Sequence, residues 1–165
     1  MQLVKERQSW DGYFMGLAYQ VAQRSTCLRR QVGAVAVNER RRIIGTGYNG
    51  APSGLTHCTP DTCIRIRKNI PSGERLDLCK AIHAEANIVL QLGNQLENAT
   101  LYCTTQPCTS CLKLLMGVGI HRVVWDNYYN DEYSRELMEE YGDYISTINI
   151  DGRNCMEMLK IGLSL

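Results

Sequence analysis

His83-Ala84-Glu85 and Pro107-Cys108-Thr109-Ser110-Cys111 are the two stretches whose residue types could do chemistry together. His83, Cys108 and Cys111 offer one imidazole nitrogen and two sulfurs, the donor set of a catalytic zinc that keeps its fourth position for water. The C-x-x-C spacing puts both sulfurs on one helical turn, within reach of one ion. Each stretch is predicted to start a helix, and a helix N-terminus favours thiolate over thiol. Two thiolates and a neutral imidazole offset the divalent charge, and a water held there falls from a pKa of about 15.7 toward about 7. Glu85, two residues past His83, stands outside the ligand set but close to that water. It is placed to take the water's proton and pass it to a substrate nitrogen.

Either stretch alone is weak, because redox pairs and zinc knuckles share C-x-x-C. A closed knuckle needs a fourth ligand and leaves Glu85 without a role. Cys103 is the nearby candidate, but it falls in mid-strand and reads as a small buried hydrophobe. A redox pair has no use for the His–Glu couple. The combination, 25 residues from His83 to Cys108 with proline before the first cysteine, is the H-x-E…P-C-x-x-C signature of zinc deaminases acting on cytosine or adenine.

These side chains need a scaffold. Trp10, Tyr13, Phe14, Leu17, Ala18, Val21 and Ala22 recur at three-and-four spacing and predict an amphipathic helix over 9–24. Val32 to Asn38 and Arg42 to Tyr48 read as a hairpin around Glu39-Arg40-Arg41. Helices are predicted over 84–92, 109–118 and 131–141, the last with Asp131 as N-cap. Strands are predicted over 99–104, 121–125 and 144–150, and a short final helix over 154–163, with Cys155 in the core. This α-β-β-α-β-α-β-α-β-α order predicts one α/β domain over 1–165, a mixed sheet with helices on both faces. Residues 50–79, rich in Gly, Pro, Ser, Thr and Cys, read as an insert.

The chain has 165 residues, 44% hydrophobic and 21% charged, enough for one globular domain with a real core. Its longest apolar run, Leu114 to Ile120, is far short of the roughly 18 residues a membrane span needs. The first eight residues hold no apolar signal core. A net charge of +1 gives no global pull toward nucleic acid or anionic membrane. The charge is uneven: ten Lys or Arg face three acids from Arg24 to Arg75, and eight acids face one arginine from Asp126 to Asp151. Two solvated faces account for this; so would arginines meeting a phosphate, or the two faces meeting across a subunit contact. Eight cysteines without a secretory signal point to metal or catalysis rather than disulfides, and to the cytoplasm.

Cys79-Lys-Ala-Ile-His-Ala-Glu85 together with Gln106-Pro-Cys-Thr-Ser-Cys111 resembles the cytidine and deoxycytidylate deaminase family. Gly47-Tyr-Asn-Gly-Ala-Pro-Ser-Gly54 and Ser25-Thr-Cys-Leu-Arg-Arg-Gln-Val-Gly-Ala34 are very similar to its bacterial and phage deoxycytidylate (dCMP) deaminases, and the resemblance runs over about Trp10 to Tyr129. The resemblance implies a three-layer α/β/α cytidine-deaminase-like fold with a five-stranded mixed sheet. It implies hydrolysis of dCMP to dUMP and ammonia, supplying dUMP for thymidylate synthesis, with Glu85 carrying protons to N3 and then to the leaving amine. Asn49 matches the residue that hydrogen-bonds the sugar 3′-hydroxyl, donating and accepting at once. The Ala84 backbone would read the base edge, and Tyr129, with Tyr128 adjoining, would lie against the nucleotide. Arg29 and Arg30 stand at the mouth of the site as phosphate candidates. Homohexamers activated by dCTP and inhibited by dTTP are common in the family.

The span from Asn49 to His83 is long for a structureless connection. It carries Cys58, Cys63 and Cys79, and Cys27 closes the first helix. Cys27 and Cys58 match ligand positions of a structural zinc in some bacterial and phage members. A closed second site from Cys27, Cys58, Cys63 and Cys79 is expected, with His57 as substitute ligand. A deaminase of dCTP, or of both nucleotides, is the alternative enzyme. A tRNA-editing deaminase would want a basic strand path and stacking aromatics, against which the acidic C-terminal third argues. A non-catalytic homologue would not need His83, Glu85, Cys108 and Cys111 intact.

Overall fold

The computed structural model describes residues 7–142 and the backbone of 146–149. The expected helix over 154–163, with Cys155, and the outer residues of the 144–150 strand lie outside the described residues. The first helix, α1 (Trp10–Ala22), starts at Ser9, whose hydroxyl accepts the Gly12 N–H at 3.1 Å. Strands β1 (Gly33–Val37) and β2 (Ile43–Tyr48) form the expected antiparallel hairpin. Asn38 Oδ1 closes its turn by accepting from the Arg40 and Arg42 amides, at 3.0 Å each. There follow α2 (Ile64–Arg67), α3 (Ala84–Leu92), β3 (Thr100–Thr105), α4 (Thr109–Gly117), β4 (Arg122–Asn127), α5 (Glu132–Glu140) and β5 (Ser146–Asn149). Asp131 caps α5 as expected, accepting from Ser134 N.

The strands lie in the order β2-β1-β3-β4-β5. β1 is antiparallel to β2 and β3, whereas β3, β4 and β5 run parallel. Parallel neighbours need a crossover, and α4 and α5 supply the two. Alternation along the strands divides the core. Val35, Val37, Tyr102 and Val124 face α1 and meet Phe14, Met15 and Ala18. Ala34, Ala36, Leu101, Cys103, Val123 and Trp125 face the other way, onto Ile88 of α3, Leu112 and Leu115 of α4, and Leu137 of α5. The result is three layers, helix on both faces of a mixed sheet. No helix of the described residues is long and apolar enough to cross a membrane.

The apolar face of α1 differs from the expected one. Phe14, Met15, Ala18 and Ala22 are buried, while Trp10 and Tyr13 stay 45% and 44% exposed. Small residues decide this: a β-carbon on Gly33 would sit 2.1 Å from the Ala18 carbonyl, so α1 is drawn onto β1 backbone to backbone through Ala18 and Ala22. Trp10 and Tyr13 are left at the rim, packed on each other and on Phe14. Arg122 then ties α1 to the sheet, its Nη2 reaching Asp11 Oδ2 at 2.7 Å while the Tyr102 hydroxyl donates to Oδ1.

The insert is pinched at its base. Gly50 and Ile82 exchange two backbone hydrogen bonds, of 3.1 and 2.9 Å, so the chain leaves the framework after Asn49 and rejoins it one residue before His83. Within it only α2 and a 3-10 turn at Leu76–Leu78 are regular.

Candidate active site

Two helix N-termini converge at the site. His83 is the N-cap residue of α3, in extended conformation, and its side chain makes no capping bond. The ring is therefore free to turn toward α4. Glu85 lies in the first turn of α3 and is 4% exposed. Cys108 is the N-cap residue of α4, directly after Pro107, and Cys111 lies one turn on. Asp131 fixes this start, accepting from Thr109 N at 2.8 Å and from Thr109 Oγ1 at 2.7 Å.

His83 Nδ1 stands 3.6 Å from Cys108 Sγ and 3.4 Å from Cys111 Sγ. Zinc bonds of about 2.3 Å to sulfur and about 2.0–2.1 Å to nitrogen, at the tetrahedral angle, hold S and N about 3.6 Å apart. The donor set thus fits a zinc ion in both type and spacing. Among the described residues it is the group of three ligand atoms lying within 4.8 Å of one another.

Burial pushes the Glu85 carboxyl up to about 7, against the opposing pull of His83. A hydrogen bond from the Cys111 thiol holds Cys108 well below the ordinary thiol range, with His83 adding to the effect, and pushes Cys111 up in turn. One thiolate therefore forms readily in the pair. Cys103 is fully buried, and burial raises its thiol well above the ordinary range, in keeping with a core role.

A cleft opens from this cluster to solvent. Asn49, Ala84 and Tyr129, the residues that the family resemblance sets against the nucleotide, all line it. Asn49 is largely engaged already: Oδ1 accepts from Ser25 Oγ at 2.6 Å and Val32 N at 2.8 Å, and Nδ2 donates to the Arg30 carbonyl at 2.8 Å. One Nδ2 hydrogen is left over. Tyr129, not Tyr128, turns to the cleft. Tyr128 is 67% exposed and packs edge-on against Trp125. Arg30 donates to the Tyr128 carbonyl and sits 5.4 Å over the Tyr129 ring.

Cys27, Cys58, Cys63 and Cys79 are all half-buried free thiols. Burial raises the Cys58 thiol, and the Cys63, Cys79 and Cys27 thiols raise it further. The four are thus neighbours, but they are not drawn to ligand distance as the first three donors are. His57 is exposed and lines a separate groove beside Gly50 to Leu55. Two cleft residues escaped the sequence reading. Arg65, from α2, is 8% exposed, and Gln106 is 1% exposed with both amide atoms lacking a partner among the described residues. Nothing in the spacing around either one signals burial.

Residues 8–127 match the family described as "Cytidine and deoxycytidylate deaminase zinc-binding region". The chain belongs to this family. It is 42% identical over 139 residues to the deoxycytidylate deaminase of Schizosaccharomyces pombe, covering 82% of this chain and 43% of that protein. It is 46% identical over 125 residues to the deoxycytidylate deaminase of Mycobacterium phage D29, covering 72% of this chain and 95% of that one. The chain spans less than half the length of the Schizosaccharomyces pombe protein and of its Saccharomyces cerevisiae counterpart. Its fold is similar to that of dCMP deaminase from the cyanophage S-TIM5 in complex with dCMP and dUMP. There the TM-score is 0.69 and the identity 24%, over 88% of this chain and 99% of that one.

Proposed function

We propose that the protein hydrolyses dCMP to dUMP and ammonia, and so supplies dUMP for thymidylate synthesis. One observation carries the reading: His83, Cys108 and Cys111 stand at zinc-ligand spacing with the buried carboxyl of Glu85 beside them. Membership of the deaminase family, and relatives named deoxycytidylate deaminase, support it. His83 Nδ1 and the two sulfurs would hold the zinc, which when bound supplies an activated water at neutral pH. Glu85 takes a proton from that water and delivers it to N3 of the cytosine ring. The water oxygen bonds to C4, and Glu85 carries the second proton from that oxygen to the amino group, which departs as ammonia as the C4–N bond breaks and the C4–O bond becomes the carbonyl. The Ala84 backbone reads the base edge, the remaining Nδ2 hydrogen of Asn49 goes to the 3′-hydroxyl, and the Tyr129 ring, braced by Arg30, lies against the nucleotide.

Cys27, Cys58, Cys63 and Cys79 form a second, structural zinc site that orders the insert. Their mutual proximity around Cys58 supports this. The domain spans 1–165, assembles as a homohexamer in the cytoplasm, and responds to dCTP and dTTP. Gly47, Tyr48 and Gly50, from the Gly47-Tyr-Asn-Gly50 segment that regulated and non-regulated relatives both carry, line a groove beside Ala51 to Leu55.

Turnover of dCMP, dCTP, CMP, cytidine and tRNA, each with and without added dCTP and dTTP, tests the reading. Preferred turnover of dCMP supports it. A preference for dCTP replaces it with the alternative enzyme, and turnover of tRNA alone overturns it.

A further inference from the structure

Arg65 is a buried cation without a counter-charge. It is 8% exposed, whereas Arg67 and Arg75, its neighbours in the insert, stay at the surface. One Nη2 hydrogen goes to the Pro71 carbonyl at 3.1 Å, while Nε is sealed from solvent with no partner. Among the described residues no carboxylate pairs with it. Removing a guanidinium from water without a partner costs several kcal/mol, so such a group persists where an anion completes it.

A second guanidinium repeats the pattern. Arg29 Nη1 is likewise buried without a partner. Arg30, by contrast, is committed to the Tyr128 carbonyl and the Tyr129 ring. Arg29 and Arg65 both line the cleft that holds His83, and Glu85 is the one carboxylate on its wall. The charge of Arg65 is also felt at Tyr129 and at His83, both on the cleft wall. Two guanidiniums lining one cavity whose wall carries a single acid suit a phosphate. Their planar forks match its oxygens two at a time.

We propose that Arg65, together with Arg29, binds the phosphate monoester of the substrate, so that the insert tells a nucleotide from a nucleoside. This deepens the deaminase reading and rests on it. Arg65 is then a specificity-determining residue carried by a four-residue helix outside the three-layer framework, two positions after Cys63.

The test uses the zinc-loaded full chain, with Arg65→Gln, Arg65→Lys and Arg29→Gln checked for zinc content and circular dichroism. For Arg65→Gln, kcat/KM on dCMP is expected to fall about 10- to 100-fold, the range for a charge-assisted hydrogen bond. The value on deoxycytidine should stay within about threefold of the parent, and Arg65→Lys should recover part of the loss. An equal loss on both substrates, or no loss on dCMP, overturns the proposal. If Arg65→Gln does not fold, Arg29→Gln is held to the same comparison. Binding separates this proposal from the reading beneath it. By calorimetry the parent chain should prefer dUMP to deoxyuridine, and Arg65→Gln should lose that preference even if no substrate is turned over. A parent with no such preference overturns the phosphate site. A parent that binds dUMP yet deaminates nothing overturns only the deaminase reading.

Discussion

Gly47 lies so close to Ala84 that a β-carbon built on it would sit 2.4 Å from the Ala84 carbonyl oxygen and 2.8 Å from Ile88 Cγ1. The end of β2 thus sets the height of α3, and with it His83 and Glu85. Gly47→Ala is expected to cost about 1–3 kcal/mol, as overpacking does, because the first atom in the way is backbone. Thermal unfolding should show the loss, and zinc affinity should fall with it. An unchanged midpoint and unchanged affinity would show that α3 is placed by its other contacts.

Asp131 holds the two helix starts on the far side of the site. Although burial pushes its carboxyl up, the Thr109 and Ser134 hydrogen bonds together keep it below the usual carboxylate range. Asp131→Ala removes the α5 cap and frees the first turn of α4. A loss of about 1–2 kcal/mol is expected, at the upper end for a cap. The second effect separates this from an ordinary cap: zinc should dissociate faster, since Cys108 and Cys111 ride on that turn. Chelator-driven release, followed by colour change, measures it.

Glu85→Gln keeps the shape of the buried side chain and removes its capacity to accept a proton. Zinc content and dUMP binding should remain, while kcat falls at least about 10²- to 10⁴-fold, the usual contribution of a positioned acid–base group. Retained turnover would falsify the proton-carrying role.

Metal analysis of the purified chain should find two zinc ions. Cys108→Ser should hold one and be inactive. Cys63→Ser should also hold one, and limited proteolysis should then cut within 55–78. A parent chain with a single zinc removes the structural ion, and the four cysteines are then free thiols beneath the insert.

Asp11 and Arg122 give the fold an acid limit. The Arg122 hydrogen bond lowers the Asp11 carboxyl, burial opposes this, and the Tyr102 hydroxyl adds to the lowering. A carboxyl depressed in the folded state contributes stability that is complete above its unfolded value. That stability is lost as pH falls through the folded value, which lies below the ordinary 3.8. Asp11→Asn should cost up to about 1 kcal/mol near neutrality, because the pair is partly exposed. The difference from the parent should shrink below about pH 4. Denaturant midpoints at pH 7, 4 and 3 record it, and a difference that does not vary with pH removes the ion pair as its source.

The metal cluster was legible because its chemistry is local. Two ligands three positions apart on one helix turn and a third beside Glu85 are fixed by helix geometry once the helices start where Pro107 and His83 start them. The sheet was legible from alternation, Val35 and Val37 against Ala34 and Ala36. What sequence could not give were positions set by chain paths with no period. Arg65 looks like any other arginine of a basic insert until the segment folds back and buries it. Asn49 has a donor and an acceptor on paper, but Ser25 and Val32 occupy its oxygen only after α1, β1 and β2 meet. Trp10 and Tyr13 carry the right spacing for a core helix, and the close approach at Gly33, invisible to periodicity, turns them outward.

The two bonds between Gly50 and Ile82 have a bearing on how such a protein can change. They clamp the neck of a segment that can then lengthen, shorten or alter its charge without tugging on the imidazole one residue away. On the proposed assignment of Arg65, part of the ligand preference is mounted in that segment, apart from the hydrolytic machinery, and a graft of residues 51–81 between homologues is the natural way to exchange that part while keeping the rest.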